Sequence, residues 1–115
     1  MKVIILVPIY NDRESLKELI KNINLEVKDL NCEISIIVVN DASSQQILDN
    51  YENVENIHSI ELINMKENRG HTRCIASGLK YIFEKKRTTR IIIGEIILTN
   101  PSVAIFQLSF VVPTT

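Results

Sequence analysis

At 115 residues and 13.2 kDa the chain has the mass of one domain, able to bury about two-thirds of its unfolded surface and too small for two domains. Hydrophobic residues make up 45% and charged residues 23%, which excludes a disordered or collagen-like chain. Thirteen basic against fourteen acidic residues leave a net charge of −1, so no nucleic-acid partner is expected.

Cys32 and Cys74 are too few for a disulfide framework, and the Lys2–Val7 run is too short for a signal sequence. They read as reduced thiols of a cytoplasmic protein. No stretch approaches the ~20 apolar residues of a membrane span. The charge is unevenly spread. Residues 1–90 hold all thirteen Lys and Arg and thirteen of the fourteen acids, whereas residues 91–115 hold only Glu95.

In chain order, residues 2–7 are a continuous apolar run, the pattern of a strand buried on both faces. Pro8 to Asp12 break it. Leu16, Leu19, Ile20 and Ile23 then recur at helical spacing, with Asn11 or Asp12 as the N-cap and Glu14 in the first turn. Ile34 to Val39 predicts a second buried strand ending at Asn40-Asp41-Ala42-Ser43-Ser44, and Gln46 to Tyr51 a short helix. A third strand is expected over Ile57–Ile63. After Asn68-Arg69-Gly70 comes a helix burying Ile75, Gly78, Leu79, Ile82 and Phe83, with Lys85-Lys86-Arg87 at its basic end. Ile91–Leu98 reads as a fourth strand and Val103–Val112 as a fifth. Alternating apolar strands and amphipathic helices predict an α/β fold, three-layer α/β/α with a mainly parallel sheet. Ligands of such sheets bind beyond the carboxyl ends of the strands, here residues 8–12, 40–44, 64–73 and 94–99.

Those loops carry the candidate chemistry. Tyr10 places an aromatic ring at the mouth of the sheet, suited either to stacking on a base or to packing on a neighbouring loop. Asp41 follows a strand end, where a carboxylate accepts from base or ribose groups or caps the next helix. Gly70 permits a positive φ before a helix start that favours an anion, and Arg69, His71 and Arg73 add positive charge. For Arg69 a solvated arginine, and for His71 a capping or packing role, are the simpler readings. No G-x-G-x-x-G, G-x-x-x-x-G-K-[ST] or Gly-x-Ser-x-Gly occurs, and the two histidines and two cysteines lack zinc-ligand spacing.

Taken together, Val7-Pro8-Ile9-Tyr10-Asn11-Asp12, Ile37-Val38-Val39-Asn40-Asp41-Ala42-Ser43, and Asn68-Arg69-Gly70 with Ala76 and Gly78-Leu79 resemble the first half of a family 2 glycosyltransferase. That family has the GT-A fold and uses nucleotide-diphosphate sugars. It usually reads Pro-x-Tyr-Asn-Glu, then Val-Asp-Asp-Gly-Ser, then Asn-x-Gly before a small-residue helix. The resemblance covers about residues 2–93. It implies that Tyr10 stacks on the base, commonly uracil, that Asp41 binds base or ribose, and that Arg73 approaches the diphosphate. Pro8 shapes the loop, Asp12 stands at the family's loop acid, and Asn40 replaces the first acid of the Asp-Asp pair.

The resemblance also implies Mg²⁺ or Mn²⁺ held by an Asp-x-Asp at the end of the fourth strand. Here Gly94-Glu95-Ile96-Ile97 follows Ile93, and the last aspartate is Asp49, so the ligands the family uses are not present. Resemblance and charge end together, which predicts an incomplete GT-A-like domain. Residues 1–93 form its nucleotide-sugar-binding half. Residues 94–115 form an atypical apolar tail, truncated or altered, only partly buried and not a separate domain. The implied function is binding of a nucleotide-diphosphate sugar, UDP-linked, for glycosyl transfer to a glycan or lipid acceptor in cell-envelope glycan biosynthesis, inactive as this chain alone. The alternative is a non-catalytic nucleotide-binding module or a partial subunit completed by another chain. A receiver-type signalling domain fits poorly, since Asp41 follows the second strand and no lysine closes that pattern.

Overall fold

A two-residue alternation of apolar side chains decides the layering. The computed structural model describes residues 2–47, 51, 54–85, 90–100 and 103–111, and for residues 95–100 and 103–111 it gives the backbone course. The first strand, β1 (Lys2–Ile9), sends Val3, Ile5, Val7 and Ile9 to one face and Ile4 and Leu6 to the other. The second, β2 (Glu33–Asn40), does the same with Ile34, Ile36 and Val38 against Ile37 and Val39. A strand apolar on both faces needs a cover on each. Helix α1 (Arg13–Glu26) supplies Leu16, Leu19, Ile20 and Ile23 to the first face. Helix α2 (His71–Lys85) supplies Cys74 and Ile82 to the second.

Two further strands complete the parallel part, β3 (Ser59–Asn64) and β4 (Arg90–Asn100), and β5 (Val103–Val111) closes the sheet in the order β3-β2-β1-β4-β5. Parallel register runs from Lys2↔Glu33 to Ile9↔Asn40 between β1 and β2, and from Ser35↔Ser59 to Asn40↔Asn64 between β2 and β3. The β1–β4 ladder covers Val3↔Arg90 to Leu6↔Ile93, stopping two residues short of Pro8, which has no N–H to offer. This is the expected three-layer α/β/α arrangement with a mainly parallel sheet. Neither helix is long and apolar enough to cross a membrane. On the α1 side Asn24 is also buried, accepting the Asn56 N–H at 2.8 Å while its own carbonyl accepts from Asn56 Nδ2 at 2.9 Å. That pair fixes the loop leading into β3.

Three expectations need correction. Gln46 and Ile47 are not helical, because the Asn11 side chain captures the N–H groups of Ser44 and Gln45; residues 48–50 of the expected short helix lie outside the described residues. In α2 the expected Gly78 and Ile82 are buried and Ile75 and Leu79 pack partly buried on the same face, but the stripe is completed by Cys74, which leaves Phe83 exposed. Of the basic end Lys85-Lys86-Arg87, Lys85 closes α2 and the other two lie outside the described residues. The stretch at residues 94–99 is not a loop but the continuation of β4, and the tail pairs with it antiparallel, from Ile91↔Val111 to Asn100↔Val103. Val/Ile-rich sequence without charge satisfies its backbone groups by adding a strand to the sheet edge.

Gly78 sets how closely α2 approaches the sheet. A Cβ there would fall inside contact distance of Leu6 Cδ1 and 3.1 Å from Val39 Cγ2, both side chains fully buried. Gly78→Ala is therefore expected to destabilise the fold by about 1–3 kcal/mol through overpacking, despite alanine's higher helix propensity. Urea unfolding measures it, and an unchanged midpoint would show that the layer relaxes freely.

Candidate functional site

Parallel pairing of β1, β2 and β3 brings three loops to one edge of the sheet. The β2 loop is the hub. Asn40, the last residue of β2, donates from Nδ2 to Asn64 Oδ1 at the end of β3 at 3.0 Å, and its Oδ1 accepts the Ser43 N–H at 3.0 Å. Ser43 Oγ accepts the Asn11 N–H at 2.9 Å. Asn11 Oδ1 in turn accepts from Ser44 N–H at 2.8 Å, Ser44 Oγ at 3.1 Å and Gln45 N–H at 3.1 Å. Gln45 Oε1 accepts the Arg13 N–H at the start of α1 at 3.2 Å. One polar chain thus links the ends of three strands to a helix start.

Asp41 makes the other link. Only 1% exposed, it receives the Arg69 N–H on Oδ1 at 2.7 Å and the Gly70 N–H on Oδ2 at 2.8 Å, and its backbone N–H donates to the Ile9 carbonyl at 2.9 Å. The Cys74 thiol also hydrogen-bonds to the carboxylate. Burial pushes the Asp41 carboxyl up, but the Arg69 and Gly70 N–H groups, the Cys74 thiol and the charge of His71 together hold it below its ordinary value. Burial, the hydrogen bond to Asp41 and its negative charge push the Cys74 thiol up to about 12, so it stays protonated. The anion at the start of α2 is therefore the protein's own carboxylate.

Two non-glycine residues take left-handed backbone conformations at these turns, Asn11 at φ 48° and Ala42 at φ 60°, beside Gly70 at φ 89°. Asparagine tolerates that region and glycine prefers it; alanine does neither. Ala42 stands where the resemblance has glycine in Val-Asp-Asp-Gly-Ser, and the backbone shows why.

The structure brings the expected site residues to one edge, in different settings. Tyr10 follows β1 with its side chain 46% exposed. Arg73 lies in the first turn of α2, exposed and without an ion pair among the described residues. Asp41, expected to meet base or ribose, instead has both carboxylate oxygens turned to the α2 loop. Pro8 is buried within β1, in register with Val39, so it belongs to the strand and not to the loop it was expected to shape. Asp12 holds the N-cap position of α1 without a side-chain cap bond; its carbonyl accepts the Leu16 N–H at 3.1 Å. Arg69 pairs with Glu67. Asn64 and Gln45 were missed by sequence reasoning; asparagines ending two adjacent parallel strands were the available signal for the first.

The Glycosyl transferase family 2 model matches residues 4–92. The chain belongs to this family. It is 30% identical over 80 residues to a dolichol-phosphate mannosyltransferase of Pyrococcus furiosus, which covers 70% of this chain and 22% of that protein. The fold is similar to that of the mannosyltransferase PcManGT from Pyrobaculum calidifontis, solved in complex with GDP-Man and Mn²⁺. There the TM-score is 0.59 at 19% identity, over 85% of this chain and 28% of that one. A chain of the Euglena gracilis mitochondrial ATP synthase is similar at TM-score 0.57 and 13% identity, over 96% of this chain and 35% of that one; both likenesses are of fold alone. This family 2 chain spans 22% of the curated mannosyltransferase's length and 28% of the solved one's.

The Asp-x-Asp through which the family resemblance implies a divalent ion is missing from the sequence. Gly94 and Glu95 stand inside β4, opposite Leu108 and Gln107 of β5, where Asp-x-Asp would be needed. Among the described residues no group of three or more His, Cys, Asp or Glu side chains is placed to hold a metal.

Two variants test this scaffold. Ala42→Gly relieves the left-handed strain and is expected to raise stability by about 0.5–1 kcal/mol after glycine's own entropy is subtracted, read as a higher urea midpoint. Asp41→Asn is expected to destabilise by about 1–3 kcal/mol at pH 7 by placing an amide against two N–H donors. Because the folded-state carboxyl lies below its ordinary 3.8, Asp41's stabilisation is complete above that pH and is lost as pH falls through the lower folded value. The gap between wild type and Asp41→Asn should therefore narrow on acidification below pH ~4, as measured by urea unfolding at a series of pH values.

Proposed function

We propose that this chain binds a nucleotide-diphosphate sugar at the carboxyl edge of β1–β3, as the donor-binding part of a glycosyl transfer to a glycan or lipid acceptor. The observation that carries this reading is Tyr10: a half-exposed ring on a turn whose backbone is fixed by its neighbours, on the same sheet edge as the exposed Arg73. A rigid aromatic platform loses little entropy when a base stacks on it. Arg73, exposed in the first turn of α2, suits the diphosphate. Asp41 serves the site by locking the α2 loop from behind.

Residues 1–93 are taken as the donor-binding half of the domain. Transfer itself needs an acceptor-binding part, and the relatives that suggest mannosyl transfer are about three times as long as this chain. A second reading, a nucleotide-binding module or subunit completed by another chain, is favoured by the β4–β5 pairing at the place of the metal acids. The base has two candidates: uracil from the sequence resemblance, guanine from the GDP-Man complex of the similar fold.

Calorimetry of the full chain with UDP and with GDP tests the proposal. One of the two is expected to bind. Tyr10→Ala should weaken that binding by about 1–3 kcal/mol, the worth of a stacked base, and Tyr10→Phe should leave it nearly intact. Binding of neither, or binding indifferent to Tyr10→Ala, would overturn the assignment.

A further inference from the structure

Tyr10 is held from both sides by one loop. The carbonyl of Ile9, in the peptide preceding Tyr10, accepts the Asp41 N–H at 2.9 Å. The N–H of Asn11, in the peptide following Tyr10, donates to Ser43 Oγ at 2.9 Å. Ser43 is itself fixed by its N–H to Asn40 Oδ1, and the Asn40 amide is oriented by its Nδ2 donating to Asn64 Oδ1. Asn40 is buried and therefore depends on protein partners, whereas Asn64 is exposed at the end of β3, two strands away from Tyr10.

We infer that Asn64 is a positioning residue for the nucleotide site, acting through Asn40 and Ser43 on the peptide that follows Tyr10. The inference rests on the reading of Tyr10 as the base platform, and it gives the amide at Asn40 a role that a carboxylate cannot fill unaided. An amide accepts from Ser43 and donates to Asn64 at once. A carboxylate at Asn40 would accept from Ser43 but would set oxygen against Asn64 Oδ1. The asparagine here, in place of the family's acid, is thus the middle of a directed relay whose hydrogen bonds all depend on Asn64 as terminal acceptor. Cooperative chains of this kind fail from the end that loses its partner.

The test uses the full chain with Asn64→Ala, Asn64→Asp and Ser43→Ala. Amide hydrogen exchange of the ligand-free protein, followed by NMR at Ser43 and Asn11, reads the relay directly. Asn64→Ala is expected to speed exchange at both amides by about two- to tenfold, the range of one ordinary hydrogen bond. Asn64→Asp keeps the acceptor and should restore wild-type exchange. Calorimetric affinity for the nucleotide that wild type binds should fall by a similar factor in Asn64→Ala and recover in Asn64→Asp. Combining Asn64→Ala with Ser43→Ala should weaken binding no further than Ser43→Ala alone. Unchanged Asn11 exchange in Asn64→Ala, or an aspartate variant as defective as alanine, would overturn the relay. A wild-type chain that binds neither UDP nor GDP would overturn the nucleotide reading, while the exchange rates would still decide the relay.

Discussion

A buried carboxylate to which no cation among the described residues is bonded is the constraint on which the site depends. Asp41 is enclosed where β2 ends, and water cannot solvate it; its charge is sustained by two peptide N–H groups and a thiol. Those donors come from the start of α2 and can reach Asp41 in one arrangement, with Gly70 in a left-handed conformation. The same residue's N–H anchors the end of β1. Enclosing one charge therefore fixes the relative placement of β1, β2 and α2, and with it the edge where Tyr10 and Arg73 meet solvent.

The alternative use of such a carboxylate, facing outward to a ligand, requires that the α2 loop satisfy its own amides. Here it does not. Helix α2 begins with an anion already supplied from β2, so the remaining capacity for an external anion lies with the exposed guanidinium of Arg73 in its first turn. The chemistry open to ligand is consequently shared between an aromatic face and an exposed guanidinium, supported by polar groups that face inward. This division matches the proposed recognition of a flat base and a charged linker, and it separates the exposed groups from the buried ones that hold them.

Much of this was legible in the sequence. The doubly apolar runs at 2–7 and 34–39 gave the two central strands to within two residues, because short Val/Ile-rich runs closed by turn residues favour a buried strand over a helix. The common edge of Tyr10, Asp41 and Arg73 followed from parallel connectivity alone. What escaped prediction depended on contacts distant in sequence. The expected helix at Gln46 gave way to Asn11, more than thirty residues earlier, which claims the amides that would start it. In α2 the periodicity placed Gly78 and Ile82 correctly, but the close approach at Gly78 draws Cys74 into the buried stripe and leaves Phe83 outside it. The inward orientation of Asp41 could not be read because a carboxylate after a strand has the same sequence whichever way it turns. At the tail, the fifth strand expected over Val103–Val112 is β5, but the continuation of β4 through residues 94–99, where a loop was expected, depends on its pairing with that strand.

The two cysteines now have unequal chemical fates. Cys74, enclosed against Asp41 and held as a thiol, offers electrophiles no thiolate, whereas Cys32 lies half-buried just before β2, at the amino edge of the sheet. A thiol-directed dye or spin label will consequently mark the native chain at a single place, on the side remote from Tyr10. The wild-type protein carries its own attachment point for distance and anisotropy measurements, with no engineered cysteine near the edge that carries Tyr10 and Arg73.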